Sequence, residues 1–228
     1  MARKPAAKSR AKKSAAKRRA PSKKPPTKKK AAAQPARQRI ITAALDLAAH
    51  EGWRRVSLRR IAETAGMSLA ELRAQFPSKA AIVNGFLAVL DDQVLAGGDV
   101  DMDEPVRDRL FEVVMRRFDA MEPHRDGIDA VIRGSIGDTE AALCVLPRFL
   151  GSMAWMLEAA GLSSAGISGL LRTKGLAVIY LGALWAWLGD DTPDRSRTMA
   201  ALDRGLRRAE WLIGLARRGA APAPQAAD

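Results

Sequence analysis

The stretch 37–79, RQRIITAALDLAAHEGWRRVSLRRIAETAGMSLAELRAQFPSK, constrains this chain more than any other. Ile40, Ile41, Ala44, Leu45, Leu47 and Ala48 recur at helical spacing, and Gly52 supplies a natural stop. One amphipathic helix is expected to end there. Ser57 can cap a second, short helix carrying Leu58, Ile61 and Ala62, after which Ala65-Gly66-Met67 makes a tight break, because glycine tolerates the left-handed backbone. Ser68 and Glu71 then have the S-x-x-E spacing of a capping box, in which each side chain satisfies an orphaned amide of the first turn. Two short helices across a glycine turn predict a helix-turn-helix, whose second helix can enter a major groove.

No stretch shows the two-residue alternation of a half-buried strand, and the 47% of apolar residues are rich in Ala and Leu, which favours helix. Ser78 can cap a helix running to about Ala96, ended by Gly97-Gly98. Further helices are expected near 104–121, from Ile128 to Ser135, from Thr139 to Ala160, from Ser163 to Leu188, and from Thr192-Pro193 to about Arg217. Pro147 should kink the segment from Thr139 to Ala160, since proline removes a donor and clashes with the preceding turn. The expectation is an all-α fold of about nine helices.

The net charge of +13 is unevenly distributed. Residues 1–36 carry 14 basic and no acidic side chains, residues 37–79 carry 8 and 4, and residues 80–228 carry 16 and 21. The charge therefore belongs mainly to a Lys/Ala/Pro-rich tail over 1–36, which is expected to be disordered, having no large apolar side chain after Met1 to offset the entropy of ordering. Such a tail can act as a salt-sensitive arm on DNA phosphates, or as a solubilising tail that touches RNA or anionic lipid. The helix-turn-helix then occupies 37–79, a helical ligand-binding or dimerisation domain 80–218, and a second disordered tail 219–228. Cys144 is alone, fits a reducing compartment and reads as core packing. No secretory signal and no uninterrupted run of 18 apolar residues is present, so a cytoplasmic protein is expected.

Catalysis leaves no trace in the pattern. His50 and His124 stand far apart and share no metal-ligand spacing with Cys or Glu, and there is no phosphate loop or nucleophile elbow. Asp99, Asp101, Asp103 and Glu104 lack the glycine and terminal Glu of a calcium loop and read as a linker leading into a helix start. Neither an enzyme, a cofactor nor a metal site is expected. In the C-terminal half, Met153, Met156, Leu176, Ile179, Tyr180 and Trp185 lie on two long helices, and Met with Trp can line an adaptable apolar pocket. The same surface can instead be core, or can pair two subunits in a four-helix interface.

Ile61-Ala62, Ala65-Gly66-Met67-Ser68, Leu72, Phe76 and Ser78-Lys79, preceded by an amphipathic helix ending at Gly52, resemble the DNA-binding domain of the TetR family of bacterial transcriptional regulators. The resemblance covers about 45 residues. It implies a homodimer that binds a palindromic operator on double-stranded DNA and releases it when a small, often apolar ligand occupies the C-terminal domain. It places Ser57, Ser68, Leu69, Ala70 and Arg73 toward DNA and Lys79 on a phosphate, with Ile61, Leu72 and Phe76 holding the domain together. Glu71, Arg73 and Gln75 depart from the family pattern, which has a small or hydroxyl residue, a tyrosine, and an aromatic or histidine there.

A second stretch, Trp187-Leu188-Gly189-Asp190-Asp191-Thr192-Pro193-Asp194 with Thr198-Met199 and Leu202-Asp203-Arg204, resembles the C-terminal pattern of a TetR-like lipid-binding accessory family of ubiquinone biosynthesis. It implies an alternative, a lipid-binding protein at a membrane surface. Leu206, Ala209, Trp211, Ile213 and Ala216 among arginines would then form a basic interfacial helix, or else a terminal helix packed on the body.

Overall fold

Four helix starts in this protein carry the short polar side chain that a helix N-terminus needs. In the computed structural model Ser57, Ser68, Ser78 and Asp138 each accept a hydrogen bond from the backbone amide three residues on. The structure describes residues 35–219, with only the backbone of 213–219, so the tail expected over 1–36 lies almost wholly outside the described residues. Nine α-helices and one 3-10 turn form there, with no strand among the described residues. They are α1 (Ala36–Glu51), α2 (Leu58–Thr64), α3 (Leu69–Gln75), α4 (Lys79–Ala96), α5 (Val106–Met121), the turn Glu122–His124, α6 (Arg125–Ser135), α7 (Thr139–Ala159), α8 (Gly166–Leu188) and α9 (Ser196–Gly219). The chain is all-α.

Several boundaries shift for local reasons. Helix α5 starts at Val106 because Pro105 occupies the N-cap, and α6 starts three residues early because it continues directly from the 3-10 turn. Helix α8 starts at Gly166 instead of Ser163, since Glu158 holds the intervening loop through bonds from the Ser164 amide (2.6 Å) and hydroxyl (2.7 Å). Those bonds keep the Glu158 carboxyl below its usual range. Helix α7 runs as one element through Pro147. Cys144 corrects its expectation: it is exposed on α7, not packed in the core.

Helix α1 is shared between two neighbourhoods. Its inner face, Ile40, Ile41, Ala44 and Ala48, is almost wholly buried. It packs on α2 and α3, and more extensively on α6. Gly127 of α6 makes that approach possible, since a Cβ there would lie 2.5 Å from the Leu45 carbonyl oxygen. Gly134, one helix end further, would meet Trp53 Cβ at 2.8 Å. Arg54 completes the junction by donating to the carbonyls of Gly134 (2.9 Å) and Ile136 (2.8 Å), which the end of α6 leaves free. The centre of the bundle is aromatic. Phe118 of α5 stacks on Tyr180 of α8 at 5.4 Å and meets Trp187 at 5.8 Å, and burying each such ring contributes roughly 1.5–3 kcal/mol.

Helices α7 and α8 are long and apolar enough, by length and composition, to cross a membrane. Each turns one face into the core, with Met153, Met156 and Leu157 from α7 and Leu176, Tyr180 and Trp187 from α8. The opposite faces leave Leu143, Leu146, Trp155, Leu171, Val178 and Trp185 exposed.

Candidate functional site

The helix-turn-helix is built on three buried side chains. Ile61 of α2 and Leu72 of α3 are fully enclosed, and Phe76, the α3 C-cap, is 2% exposed with its ring pressed on Gly85 of α4. A Cβ at Gly85 would lie 2.4 Å from that ring, so α3 is seated directly on α4. Arg37 also covers Phe76, its guanidinium 4.4 Å from the ring centroid. Between α2 and α3, Gly66 takes the left-handed φ of 67° that the turn demands.

On this platform α3 presents Leu69, Ala70 and Arg73 outward, and Arg73 engages no other side chain among the described residues. Ser57 and Ser68 are exposed too, but both hydroxyls are engaged as helix caps. Glu71 is folded back. Its carboxylate accepts from the Ser68 amide at 2.7 Å and hydroxyl at 2.8 Å, and these bonds lower its pKa. The acid that departs from the family pattern therefore belongs to the capping box. Neighbouring cations are partly neutralised, with Arg59 paired to Glu63 at 3.2 Å and Arg60 to Glu51 at 3.3 Å.

Lys79 departs from the expectation of a phosphate contact. Its ammonium donates to the carbonyls of Trp53 (2.5 Å) and Val56 (2.9 Å) and lies 4.2 Å from the Trp53 ring centroid. Burial pushes its pKa down, against a small opposing pull from Asp138. Geometrically Lys79 is a strut between the start of α4 and the loop that leads into α2.

Behind that strut lies an apolar cavity of about 240 Å³. Its walls come from both halves of the molecule: Ile41 and Leu45 of α1 and Trp53 on one side, Phe86 of α4, Phe149 of α7 and Tyr180 of α8 on the other. Of the six residues expected to line a pocket, Tyr180 alone does so here. Met153, Met156 and Leu176 are buried packing residues elsewhere in the core, and Ile179 packs on Gly205 of α9. Trp185 is 51% exposed, beside a shallow depression between α8 and α9. The pocket sits closer to α1 than the sequence suggested because Trp53, from a turn flanked by arginines, folds inward. Helical periodicity says nothing about turn residues; the cue was an isolated tryptophan beside a helix stop.

The segment that resembles the lipid-binding family is an internal brace. Asp190 is fully buried and accepts from the Thr192 hydroxyl (2.5 Å), the Thr192 amide (3.2 Å), and the Thr198 amide and hydroxyl (2.8 Å each). Burial alone would raise its pKa, but these hydrogen bonds outweigh burial and hold it far below the ordinary carboxylate range. Arg125 donates to the carbonyls of Trp187 (2.5 Å) and Asp190 (2.6 Å), joining α6 to the same turn. His50 meets the Asp46 carbonyl, His124 packs edge-on to Phe86, and no grouping of His, Cys, Asp and Glu suited to a metal occurs among the described residues.

Residues 40–85 match the family described as bacterial regulatory proteins, tetR family. No curated protein matches the chain significantly. Among solved structures, the TetR transcriptional regulator from Nitrosomonas europaea ATCC 19718 is 26% identical with a TM-score of 0.64, covering 78% of this chain and 99% of its own. A TetR transcriptional regulator from Rhodococcus sp. RHA1 is 23% identical with a TM-score of 0.51, covering 80% of this chain and 98% of its own. A tetR-family transcriptional regulator from Streptomyces coelicolor is 23% identical with a TM-score of 0.51, covering 83% and 93%. The last two share the fold alone. Over residues 40–85 this chain therefore carries a helix-turn-helix domain similar to that of the bacterial regulatory proteins of the tetR family, and its fold as a whole is similar to that of the Nitrosomonas europaea regulator.

Proposed function

We propose that this chain is a cytoplasmic, ligand-responsive transcriptional repressor, a homodimer that binds a palindromic operator through α3 and leaves it when a small apolar ligand fills the cavity. It is not an enzyme on this reading. The observation that carries the proposal is the stance of α3: Leu72 is buried on one side while Leu69, Ala70 and Arg73 stand free on the other. A guanidinium in that position can reach a guanine edge in two parallel bonds or a phosphate. The exposed apolar faces of α7 and α8 support pairing of two copies, since an isologous contact covers both at once. Ligand response is supported by the cavity's shared walls, because an occupant would touch α1 and Trp53 directly. The lipid-binding alternative is not carried further, its motif being engaged in the Asp190 brace.

Selection from a random duplex library, with a truncated protein beginning at Pro35, tests this reading. A two-fold symmetric motif should emerge, and a pool that enriches nothing refutes it. Removing the first 34 residues matters, because 14 cations there would hold any polyanion.

A further inference from the structure

Four aromatic rings line the apolar cavity, and they come from four separate elements: Trp53 from the turn after α1, Phe86 from α4, Phe149 from α7 and Tyr180 from α8. Each is fixed by a neighbour. Lys79 holds its ammonium 4.2 Å from the Trp53 ring centroid, and His124 meets Phe86 edge-on at 5.9 Å. Tyr180 stacks on Phe118 at 5.4 Å and lies 5.7 Å from Phe149. Rings set in place before a ligand arrives lose little freedom when it binds.

An occupant of this space finds no hydrogen-bonding partner. None of the lining side chains carries a charge, and the walls present no polar surface to the cavity. The Tyr180 hydroxyl is turned to the Met121 sulfur, 3.1 Å away, and the Lys79 ammonium is engaged with the carbonyls of Trp53 and Val56. A polar molecule entering here would give up its water and form no hydrogen bond in exchange, which disfavours it strongly. The cavity nevertheless reaches the surface, since its wall includes Leu181 of α8, 42% exposed, and the half-buried Val145 of α7.

We infer that the cavity is a site for an uncharged bicyclic aromatic hydrocarbon. The inference rests on the reading of this cavity as the ligand site. Volume sets the size: an engineered apolar cavity of roughly 150 Å³ stays dry and binds benzene, and about 240 Å³ leaves room for a second fused ring. The lining sets the kind. Aromatic pairs in offset or edge-on contact gain more than their buried area supplies, an advantage of roughly two- to tenfold in affinity over a saturated molecule with the same carbon skeleton. A flexible hydrocarbon chain of equal volume would also lose internal rotations on binding, which a fused ring system does not have.

The test measures naphthalene, decalin and 2-naphthol against the full-length protein by equilibrium dialysis, each below its solubility limit. The affinities of naphthalene and decalin are referred to each compound's own transfer from water into cyclohexane, which removes the greater hydrophobicity of the saturated one. On that scale naphthalene should lead decalin by roughly two- to tenfold. Without any such reference it should bind roughly tenfold or more tightly than 2-naphthol, whose hydroxyl finds no partner in the cavity. Phe149→Leu, which removes one ring and keeps the wall apolar, should shrink the lead over decalin while helical circular dichroism is unchanged. Decalin level with naphthalene on the referred scale, or 2-naphthol level with it in direct affinity, would overturn the inference whether or not the variant folds, and would spare the cavity as a site for another ligand. A lead undiminished in a folded variant would put naphthalene elsewhere on the protein and overturn it too. Failure of all three to bind would refute both the inference and the cavity as a ligand site. Naphthalene ranked first, yet unable to release a selected duplex, would keep the aromatic site and sink ligand-responsive repression.

Discussion

Arg73 and Lys79 were both candidates for touching DNA, and their surroundings separate them. Arg73 stands free on α3, so Arg73→Ala should weaken binding to a selected duplex by about 1–3 kcal/mol and relax the preference at one position of the motif, with thermal stability unchanged. Lys79→Met should behave in the opposite way. Removing the ammonium leaves the carbonyls of Trp53 and Val56 without their donor, at a cost of about 1–3 kcal/mol, and at this chain length Tm falls by roughly 2–4 °C per kcal/mol. The salt dependence of DNA binding should keep its slope in that variant, because no phosphate contact is lost; a slope reduced by about one would restore Lys79 to the DNA. Asp190 offers a pH signature. Its folded pKa is depressed, so its contribution is complete above the unfolded value of about 4 and is lost as pH falls further. Asp190→Asn should therefore be less stable than the wild type by about 1–3 kcal/mol near neutrality, with the gap narrowing steadily below pH 4 in acid-unfolding curves. A gap that is constant down to pH 2 would mean that shape, not charge, is what the turn requires.

Among the elements, α6 was the least legible and does the most to join the two halves. The long helices announce themselves through apolar spacing, and the short α2 and α3 through their caps, Ser57, and Ser68 with Glu71. Helix α6 shows Ile128, Val131 and Ile132 at helical spacing over a single turn before Arg133, Gly134 and Ser135, which reads as a brief connector starting three residues late. Its glycines have packing reasons that no periodicity reveals: Gly127 admits the Leu45 carbonyl, and Gly134 admits Trp53. The cavity was hidden for the same reason, since its wall depends on which way the Trp53 turn folds. Met153 and Met156 fit the composition of a pocket and turned out to be buried packing, because burial at helical spacing looks alike whether or not a void adjoins it. The prediction at this scale is that Gly127→Ala, harmless to helix propensity, forces α6 away from α1. Overpacking of this kind costs about 1–3 kcal/mol, and it should show as a lower urea midpoint for the entire transition, since α1 and α6 unfold with the body they join. A variant as stable as the parent would mean that α1 slides to accommodate the methyl group, which the 2.5 Å approach argues against.

At the scale of the whole molecule, charge and apolar surface are segregated. Cations concentrate in the first 36 residues, whereas residues 80–228 are net acidic. The outer face of α8 exposes Ile167 at 82%, Leu171 at 65%, Val178 at 72% and Trp185 at 51%. Positions 171, 178 and 185 are seven residues apart and lie along one side of the helix, with Leu170 and Leu181 flanking them. Gly175 and Gly182, where a Cβ would meet nothing, leave this side open to a second helix. A stripe of this kind on a water-exposed helix is the surface the proposed dimer would use, and a self-complementary pairing with α7 would cover Leu143 and Trp155 as well. Two-fold symmetry of the protein would in turn impose two half-sites on the DNA, so the oligomer and the operator stand or fall together. Leu171→Glu with Val178→Glu should convert a dimer into a monomer in light scattering and should abolish high-affinity binding to the full palindrome. Because each reading head keeps its own contacts, binding to an isolated half-site should be the same for variant and parent. A wild-type protein that is monomeric at micromolar concentration, yet holds the full palindrome tightly, would show instead that the α8 stripe serves another partner.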